Sequence, residues 1–212
     1  MMEQMQFKLQ AFRMEIMTKE DIMDISEKTH YHKTVIINRA VSGSGKTTLS
    51  RCVTEALRAR GLTISVHSTD EFFMKDGRYC FDINVLNKFH AQNLANFISD
   101  LGRGIDVVIC DNMNLLPWQS QPYTDAARQY QYRILFLNFL PRELEKHLAA
   151  QVVTEEKPDA HGLPKELLER FIQNFNDYND LLDHNTPRDI KRHHKFVWND
   201  IDKVVMDTGE LA

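Results

Sequence analysis

Cysteine is scarce in this chain, and long apolar runs and an excess of positive charge are absent. Its 212 residues include three cysteines, Cys52, Cys80 and Cys110, which are too few and too scattered for a disulfide framework or a Cys-x-x-Cys metal site. No apolar run approaches the ~20 residues of a membrane-spanning helix, so we expect no membrane association. The first residues lack the apolar core and cleavage site of a secretory signal. These absences together predict a cytoplasmic protein.

The charge balance sets a second limit. The chain has 26 Lys and Arg against 30 Asp and Glu, a formal net charge of -4, which argues against broad, charge-driven coating of nucleic acid. A local basic groove remains compatible with that balance. A hydrophobic content of 42% and a charged content of 26% are typical of a globular domain, and the length suits one substantial core.

Short strands and helices alternate along most of the chain. Apolar and β-branched runs predict strands at 34–38, 62–67, 105–110, 133–140 and 203–206. Helical spacing of apolar residues predicts helices at 46–60, 84–101, 117–129, 141–152 and 164–183. This alternation gives an open parallel sheet, here of about five strands, with helices on both faces. We therefore predict the α/β class and a single domain over 33–212.

The first 32 residues have a different composition. They hold six of the nine methionines, and apolar residues recur there loosely at helical spacing. The pattern predicts an N-terminal helical extension over 1–32. Packing onto the domain is the favoured role, and binding of a partner protein is the alternative.

A phosphate-binding loop is predicted between the first strand and the first helix. Residues 40–47 (AVSGSGKT) fit the P-loop pattern of Ala or Gly, four residues, Gly-Lys, then Ser or Thr. Glycines let backbone N–H groups surround phosphates, and the helix N-terminus favours anions. The pattern therefore predicts that the phosphates of ATP or GTP are bound by seven residues: Ser42, Gly43, Ser44, Gly45, Lys46, Thr47 and Thr48.

Two carboxylates follow predicted strands, at the edge where open α/β sheets bind ligands. Asp111 comes directly after 105–110 and is placed like the acid that supports Mg²⁺ in P-loop enzymes. Asp70 follows 62–67, where a carboxylate can take the proton of an acceptor hydroxyl and orient its oxygen for attack. A helix cap or turn is the alternative for either acid. We expect Thr47 and Asp111 to hold the metal, and Lys46, Asp70 and Asp111 to be catalytic.

Further blocks follow the P-loop in order. They are STDEFF at 68–73 with DGRY at 76–79 and Phe81, FHAQN at 89–93, DNMNL at 111–115 with Trp118, Pro122 and Tyr123, and HGLP at 161–164. Over residues 34–176 the chain resembles the polynucleotide-kinase-like P-loop kinases, a group often labelled AAA-type ATPases that includes the NEDD4-binding-protein-2-like kinase domains. Phe89 and Met113 depart from the usual Ala and Thr of these blocks.

The resemblance implies a P-loop kinase fold with a helical lid, and ATP and Mg²⁺ as cofactors. Lys46 and Thr47 would contact ATP–Mg²⁺, Asp70 would be the base, and Asp111 would lie near acceptor and metal. The implied acceptor-binding residues are Arg78, Tyr79, His90 and Asn114. Arg78, Tyr79 and His90 would form the wall of the acceptor site. The competing interpretation is that they make an ordinary turn or inter-helix contact.

The lid departs from the family pattern. Members usually carry one or more arginines just before the H-G-x-P block, and the segment 149–160 of this chain has none. Arg142, Lys146 and Lys157 are candidate replacements, although a lysine lacks the planar, bidentate guanidinium.

The predicted function is transfer of the ATP γ-phosphate to a hydroxyl, with a polynucleotide 5′-OH as the first acceptor to test. A kinase for a small hydroxyl metabolite, such as a nucleoside or nucleotide sugar, is the first alternative and is favoured by the acidic balance. A non-catalytic, ATP-dependent switch or adaptor is the second and is favoured by the missing lid arginine. The basic run 188–195 is either a solvated surface loop or a contact for the nucleotide base or a nucleic-acid acceptor.

Overall fold

The computed structural model describes residues 33–155, 157–158, 160–178, 194–200 and 203–208. Side chains are described throughout these ranges except at Cys52, at Ala56 and in the last two segments. The predicted N-terminal helical extension lies outside the described residues, as does most of the basic run 188–195.

Eight strands and five helices lie within the described ranges. The strands are β1 (Thr34–Ala40), β2 (Ile64–His67), β3 (Met74–Lys75), β4 (Arg78–Tyr79), β5 (Val107–Cys110), β6 (Arg133–Phe139), β7 (His194–Asp200) and β8 (Lys203–Thr208). The helices are α1 (Lys46–Arg58), α2 (Leu86–Arg103), α3 (Pro117–Gln129), α4 (Leu144–Ala150) and α5 (Lys165–Asp177).

The central sheet is parallel, with the strand order β2-β5-β1-β6. Thr34 of β1 pairs with Val107 on one side and with Arg133 on the other. Because β1 lies between β5 and β6, the chain leaves its carboxyl end at the kind of crevice where doubly wound sheets bind ligands. The predicted α/β class is confirmed.

The fifth predicted strand does not join this sheet. Residues 203–206 do form a strand, β8, but it pairs antiparallel with β7, with Val197 opposite Val205. Only two residues separate β7 from β8, and a parallel partner would need a crossover of a dozen or more residues. Among the described residues the central sheet therefore has four strands, and β7 and β8 form an antiparallel pair that the sequence interpretation missed.

Helices cover both faces of the sheet because side chains alternate along each strand. On one face Ile36 and Ala40 of β1 pack with Leu49 and Leu57 of α1. The opposite face carries Val35 and Ile37, packed against residues of α2 and α3 that include Phe97, Leu101, Tyr123, Ala126 and Ala127. Burial of each large apolar side chain contributes about 1.5–3 kcal/mol.

A third apolar cluster lies beyond the carboxyl ends of the strands and packs α4 and α5 beside the phosphate loop. Arg39 of β1 is fully buried there and donates to the carbonyls of Leu115 at 3.3 Å and Phe175 at 2.7 Å. Its guanidinium also lies 3.8 Å from the centroid of the Phe175 ring. Cations are favoured near the carbonyl end of a helix, so Arg39 ties α5 to the central strand.

The predicted helical lid corresponds to α4 and α5 and the segment between them. The α4 helix is shorter than predicted, because it begins at Leu144 rather than at Pro141. No helix in the described part of the chain is long and apolar enough to cross a membrane.

Candidate active site

The phosphate loop begins where β1 ends. Gly43 and Gly45 both have positive φ, at 78° and 85°, a backbone conformation that side chains disfavour. Gly45 is the residue before the first turn of α1, and the described structure shows neither a side-chain cap nor an acidic residue at this helix N-terminus. Uncapped N–H groups and the helix dipole make such a terminus suited to anions.

Lys46, Thr47 and Thr48 open the helix. Lys46 is half-buried and forms no ion pair with another described residue, whereas the two threonines are exposed. An ammonium and two hydroxyls thus remain available beside the loop. The predicted contacts of Ser42 to Thr48 with a nucleotide stay predictions.

Asp111 is buried behind the loop, where Asn38 Nδ2 donates to its Oδ1 at 2.7 Å. Asn38 Nδ2 also lies 2.8 Å from Ser50 Oγ of α1, and Asn38 Oδ1 has no partner among the described atoms. Burial of a carboxylate is costly unless a cation or hydrogen bonds compensate. No described lysine or arginine pairs with Asp111, so its setting fits a residue that supports Mg²⁺ together with Thr47.

Glu71 is a second acid near Asp111 that the sequence interpretation passed over. Partial burial raises the pKa of Glu71, the negative charge of Asp111 raises it further, and the positive charge of Arg51 opposes both. A neighbouring carboxylate adds an oxygen ligand for a hard cation. Its only signal in the sequence was its place directly after Asp70. Within the described residues no group of three or more His, Cys, Asp or Glu side chains forms a metal cage.

Asp70 lies in the 3-10 turn Thr69–Phe73 that follows β2. Tyr79 donates its hydroxyl to Asp70 Oδ1 at 3.1 Å, and His161 Nε2 lies 3.8 Å from Oδ2. The Tyr79 and His161 rings stack with centroids 4.0 Å apart. Burial and the charge of Asp70 both raise the pKa of Tyr79, so its hydroxyl stays protonated and acts as a donor. The HGLP block was the only signal that could have placed His161 here.

The hairpin β3–β4 brings Tyr79 to Asp70. Its turn residues Asp76 and Gly77 have φ values of 49° and 76°, as a two-residue type I′ turn requires. Lys75 pairs with Arg78 next to the turn, and Tyr79 pairs with Met74. Because successive residues point to opposite faces, exposed Arg78 lies on the face opposite Tyr79. The hairpin also touches the lid segment, where Tyr79 N–H donates to the Pro158 carbonyl at 3.4 Å.

A chain of hydrogen bonds joins the motif blocks beneath Asp70. His90 Nδ1 lies 3.0 Å from Thr69 Oγ1, and Thr69 N–H donates to Asn112 Oδ1 at 2.9 Å. Tyr123 Oη then accepts from Asn112 Nδ2 at 3.1 Å and from Asn93 Nδ2 at 3.0 Å. Burial lowers the pKa of His90, and the charge of Asp70 opposes that effect. The network fixes the ends of β2 and β5 and so the spacing of the two strand-end acids.

Asn114 has a positive φ of 49° and is buried. Its amide donates to the Asn38 carbonyl at 2.7 Å, which ties the loop after β5 to β1. The predicted acceptor contacts of Arg78, Tyr79, His90 and Asn114 stay predictions, although Tyr79 and His90 do lie around Asp70.

The lid region brings one arginine to the phosphate loop. Arg142, just before α4, is buried and donates through Nη2 to the Gly43 carbonyl. Lys146 is half-buried on α4, and Lys157 is exposed in the lid segment. Of the three candidate replacements for a lid arginine, Arg142 has a described bond to the phosphate loop.

Comparison with known proteins gives a partial match in sequence. No family model matches the chain. The chain is 28% identical over 158 residues to NEDD4-binding protein 2 of Homo sapiens, an alignment that covers 71% of this chain and 8% of that protein. The chain therefore spans less than a tenth of that relative.

Solved structures show the fold. A crystal structure of the AvrRxo1-ORF1 and AvrRxo1-ORF2 complex with ATP matches with a TM-score of 0.60 and 13% identity, over 82% of this chain and 57% of that chain. Kti12 of Chaetomium thermophilum in complex with ADP-AlF3 matches with a TM-score of 0.50 and 16% identity, over 78% and 90% of the two chains. These findings confirm the resemblance to the P-loop kinases.

Proposed function

We propose that this chain is an ATP- and Mg²⁺-dependent phosphotransferase that moves the γ-phosphoryl group of ATP to an acceptor hydroxyl. The proposal rests on the different surroundings of two acids at the ends of neighbouring strands. Asp111 is buried beside the phosphate loop, whereas Asp70 is part-exposed and held by a tyrosine. Phosphoryl transfer needs such a division, with one carboxylate supporting the metal and another receiving the acceptor proton.

The nucleotide would lie over the loop. Backbone N–H groups of Gly43 and of 45–47 would surround its phosphates, and Lys46 would neutralise charge on the β- and γ-phosphates. Thr47 and Asp111 are the residues that would hold Mg²⁺, and Glu71 lies close enough for the charge of Asp111 to raise the pKa of Glu71. The bound Mg²⁺ would supply charge neutralisation between the β- and γ-phosphates.

Asp70 would act on the acceptor. The acceptor oxygen attacks the γ-phosphorus, its proton passes to Asp70, and the bond to the β–γ bridging oxygen breaks to release ADP. Tyr79 occupies Oδ1, so Oδ2 is the oxygen left for the incoming hydroxyl. His161 borders this oxygen at 3.8 Å and forms a wall of the proposed acceptor position.

A polynucleotide 5′-hydroxyl is the acceptor we propose first. Lys75 and Arg78 lie directly opposite one another on the hairpin, and like charges in that arrangement are destabilising. A phosphate backbone would relieve this repulsion. Phe81 is 53% exposed and lies parallel to the Tyr79 ring at 6.5 Å, which offers a surface on which a base can stack.

Two other functions retain support from specific observations. The net charge of -4 favours a kinase for a small hydroxyl metabolite, since a long nucleic acid needs a basic channel. The lack of arginine in 149–160 favours a nucleotide-dependent switch without transfer, since such an arginine contributes about 10³-fold or more to the rate. We place the protein in the cytoplasm, where the free thiols of Cys80 and Cys110 stay reduced.

The test is transfer of labelled γ-phosphate from ATP–Mg²⁺ to 5′-hydroxyl RNA and DNA oligonucleotides. Label transfer that is lost in both Lys46→Ala and Asp70→Asn would support the proposal. Asp125→Asn is the matched control, because Asp125 is exposed on α3 and pairs only with Arg128 among the described ion pairs. No transfer to either oligonucleotide while ATP still binds would exclude this acceptor. ATP hydrolysis without an added acceptor would then favour a metabolite kinase, and its absence would favour a switch.

A further inference from the structure

The outward side of the phosphate loop is bonded to α4 and to the residues on either side of that helix. In a loop whose N–H groups turn towards phosphates, several carbonyls must point the other way and find donors in the protein. Here the carbonyls of Ser42 and Gly43 both receive such donors, and both donors come from the segment that follows β6. Each donor lies about a hundred residues after its carbonyl in the sequence.

His147 provides the first of these bonds. Its side chain is fully buried, with Nδ1 2.8 Å from the Ser42 carbonyl and Nε2 3.1 Å from the Arg142 backbone nitrogen. A backbone N–H only donates, so Nε2 must accept, and Nδ1 must therefore carry the proton that goes to Ser42. The neutral ring thus uses both of its nitrogens.

Arg142 and Gln151 complete the contact. Arg142 Nη2 donates to the Gly43 carbonyl, and Gln151 Nε2 donates to Ser42 Oγ at 3.1 Å. The fit is tight, because a Cβ on Gly43 would lie 2.8 Å from Ala150 Cβ. Three side chains and one steric contact therefore hold the loop against α4.

Peptide geometry shows what these bonds control. The peptide bonds of the described residues are trans, so each N–H points opposite to the carbonyl of the preceding residue. A Ser42 carbonyl fixed by His147 directs the Gly43 N–H away from α4. A Gly43 carbonyl fixed by Arg142 directs the Ser44 N–H, which donates to the Val41 carbonyl at 3.2 Å. Two consecutive peptide planes of the loop are set from outside.

We infer that His147, Arg142 and Gln151 are positioning residues that hold the phosphate loop in its anion-binding shape. The inference rests on the nucleotide-binding part of the proposed function. The three residues touch the loop rather than the phosphates, and Arg142 adds a fixed positive charge next to the loop in a chain whose lid segment has no arginine. Loss of the Ser42 bond would let the Gly43 N–H rotate and weaken its contact with a phosphate.

The experiment compares two amide replacements of His147 in the full chain, with ATP–Mg²⁺ and inorganic tripolyphosphate as probes and calorimetry as the measurement. His147→Asn keeps a donor near the Nδ1 position and can still bond to the Ser42 carbonyl. His147→Gln reaches the Nε2 position and loses that donor. We expect His147→Gln to weaken binding of both probes about tenfold, and His147→Asn to stay within about threefold of the unchanged chain.

Controls separate this role from simple stability. Glu145→Gln changes an exposed residue of α4 and is expected to leave both affinities unchanged. The melting temperature without ligand should fall for both His147 variants, while the affinities differ between them. If His147→Gln does not fold, Gln151→Ala takes its place, with about threefold weaker binding expected.

Three results would overturn the inference. Equal affinities for His147→Asn and His147→Gln would show that the Ser42 bond does not position the loop. If Gln151→Ala replaces an unfolded His147→Gln, unchanged affinity in Gln151→Ala would show that these side-chain bonds do not position the loop. An unchanged chain that binds neither probe would remove the nucleotide-binding proposal and this inference with it, whereas binding without phosphoryl transfer would leave the inference standing.

Discussion

The nucleotide side and the acceptor side of the site are built differently. The nucleotide side consists of long central strands, a buried Asp111 and a loop bonded to α4 through backbone carbonyls. The acceptor side consists of a 3-10 turn, a hairpin with two-residue strands and a lid segment. Ring stacking, one backbone hydrogen bond and the contact of His161 with Asp70 join the lid segment to the other two. The triphosphate is the same group in every ATP molecule, so a rigid loop suits it. An acceptor is bound by short, partly exposed elements that can vary without disturbing the sheet.

Two glycine substitutions test this difference most strongly. Gly43 and Gly77 have almost the same φ, 78° and 76°, so an alanine at either position costs about 1–2 kcal/mol in the backbone. Only Gly43 is also crowded, by Ala150 and Gln151, while nothing lies within 4 Å of a Cβ on Gly77. We expect Gly43→Ala to weaken ATP–Mg²⁺ binding at least about tenfold and Gly77→Ala to change it less than about twofold. Equal losses of affinity, measured by calorimetry, would show that the two sides are not distinct.

Removal of one hydroxyl tests the acceptor side alone. Tyr79→Phe deletes the donor to Asp70 Oδ1 but keeps the ring that stacks on His161. We expect phosphoryl transfer to slow about fivefold, with ATP affinity unchanged, because one hydrogen bond that orients the base is lost. Steady-state rates with saturating ATP measure the effect. Tyr130→Phe, a partly exposed tyrosine beyond α3, is the matched control, and a similar loss there would refute the assignment.

The smallest expected effect is a pH dependence of stability. Burial lowers the pKa of His67, His90 and His147, against the opposing charge of Asp100 at His67 and of Asp70 at His90. The positive charge of Arg142 lowers the pKa of His147 further, whereas the bond of His147 to the Ser42 carbonyl raises that pKa. Below the ordinary pKa of about 6.5 the unfolded chain binds protons that the folded chain resists, so the folded state loses stability.

Urea unfolding at several pH values measures this effect. We expect the free energy of unfolding to be constant above about pH 7 and to fall as the pH drops below about 6.5. His147→Asn should reduce the slope, because it removes one of the three titrating groups. Stability that stays constant or rises between about pH 6.5 and 5 would contradict the pKa directions.

Local sequence patterns predicted most of the fold and part of the site. The apolar runs of β1, β5 and β6 are contiguous signals, and the P-loop is a contiguous motif, so strand positions, Asp111 and Lys46 followed from neighbouring residues alone. The antiparallel hairpin β7–β8 was missed because β7 begins within the basic run, whose charges suggested a surface loop. Its pairing depends on connection length rather than on strand composition.

Contacts between distant residues left no pattern to interpret. His147 has the sequence context of an ordinary helix residue, yet it bonds to a carbonyl 105 positions away. Glu71 comes near Asp111 only because β2 and β5 lie side by side. The bond between Tyr79 and Asp70 depends on the type I′ turn, although the D-G pair at 76–77 was a usable signal for that turn.

The most direct test of the account compares Asp70→Asn with Asp111→Asn in the same two assays, phosphoryl transfer and ATP–Mg²⁺ binding. We expect Asp70→Asn to reduce transfer about 10²–10⁴-fold with affinity unchanged, because it removes only the base. Asp111→Asn should weaken Mg²⁺-dependent binding of ATP as well as transfer. Full transfer by Asp70→Asn, or ATP–Mg²⁺ binding that is equally weak in both variants, would contradict the division of work between the two acids.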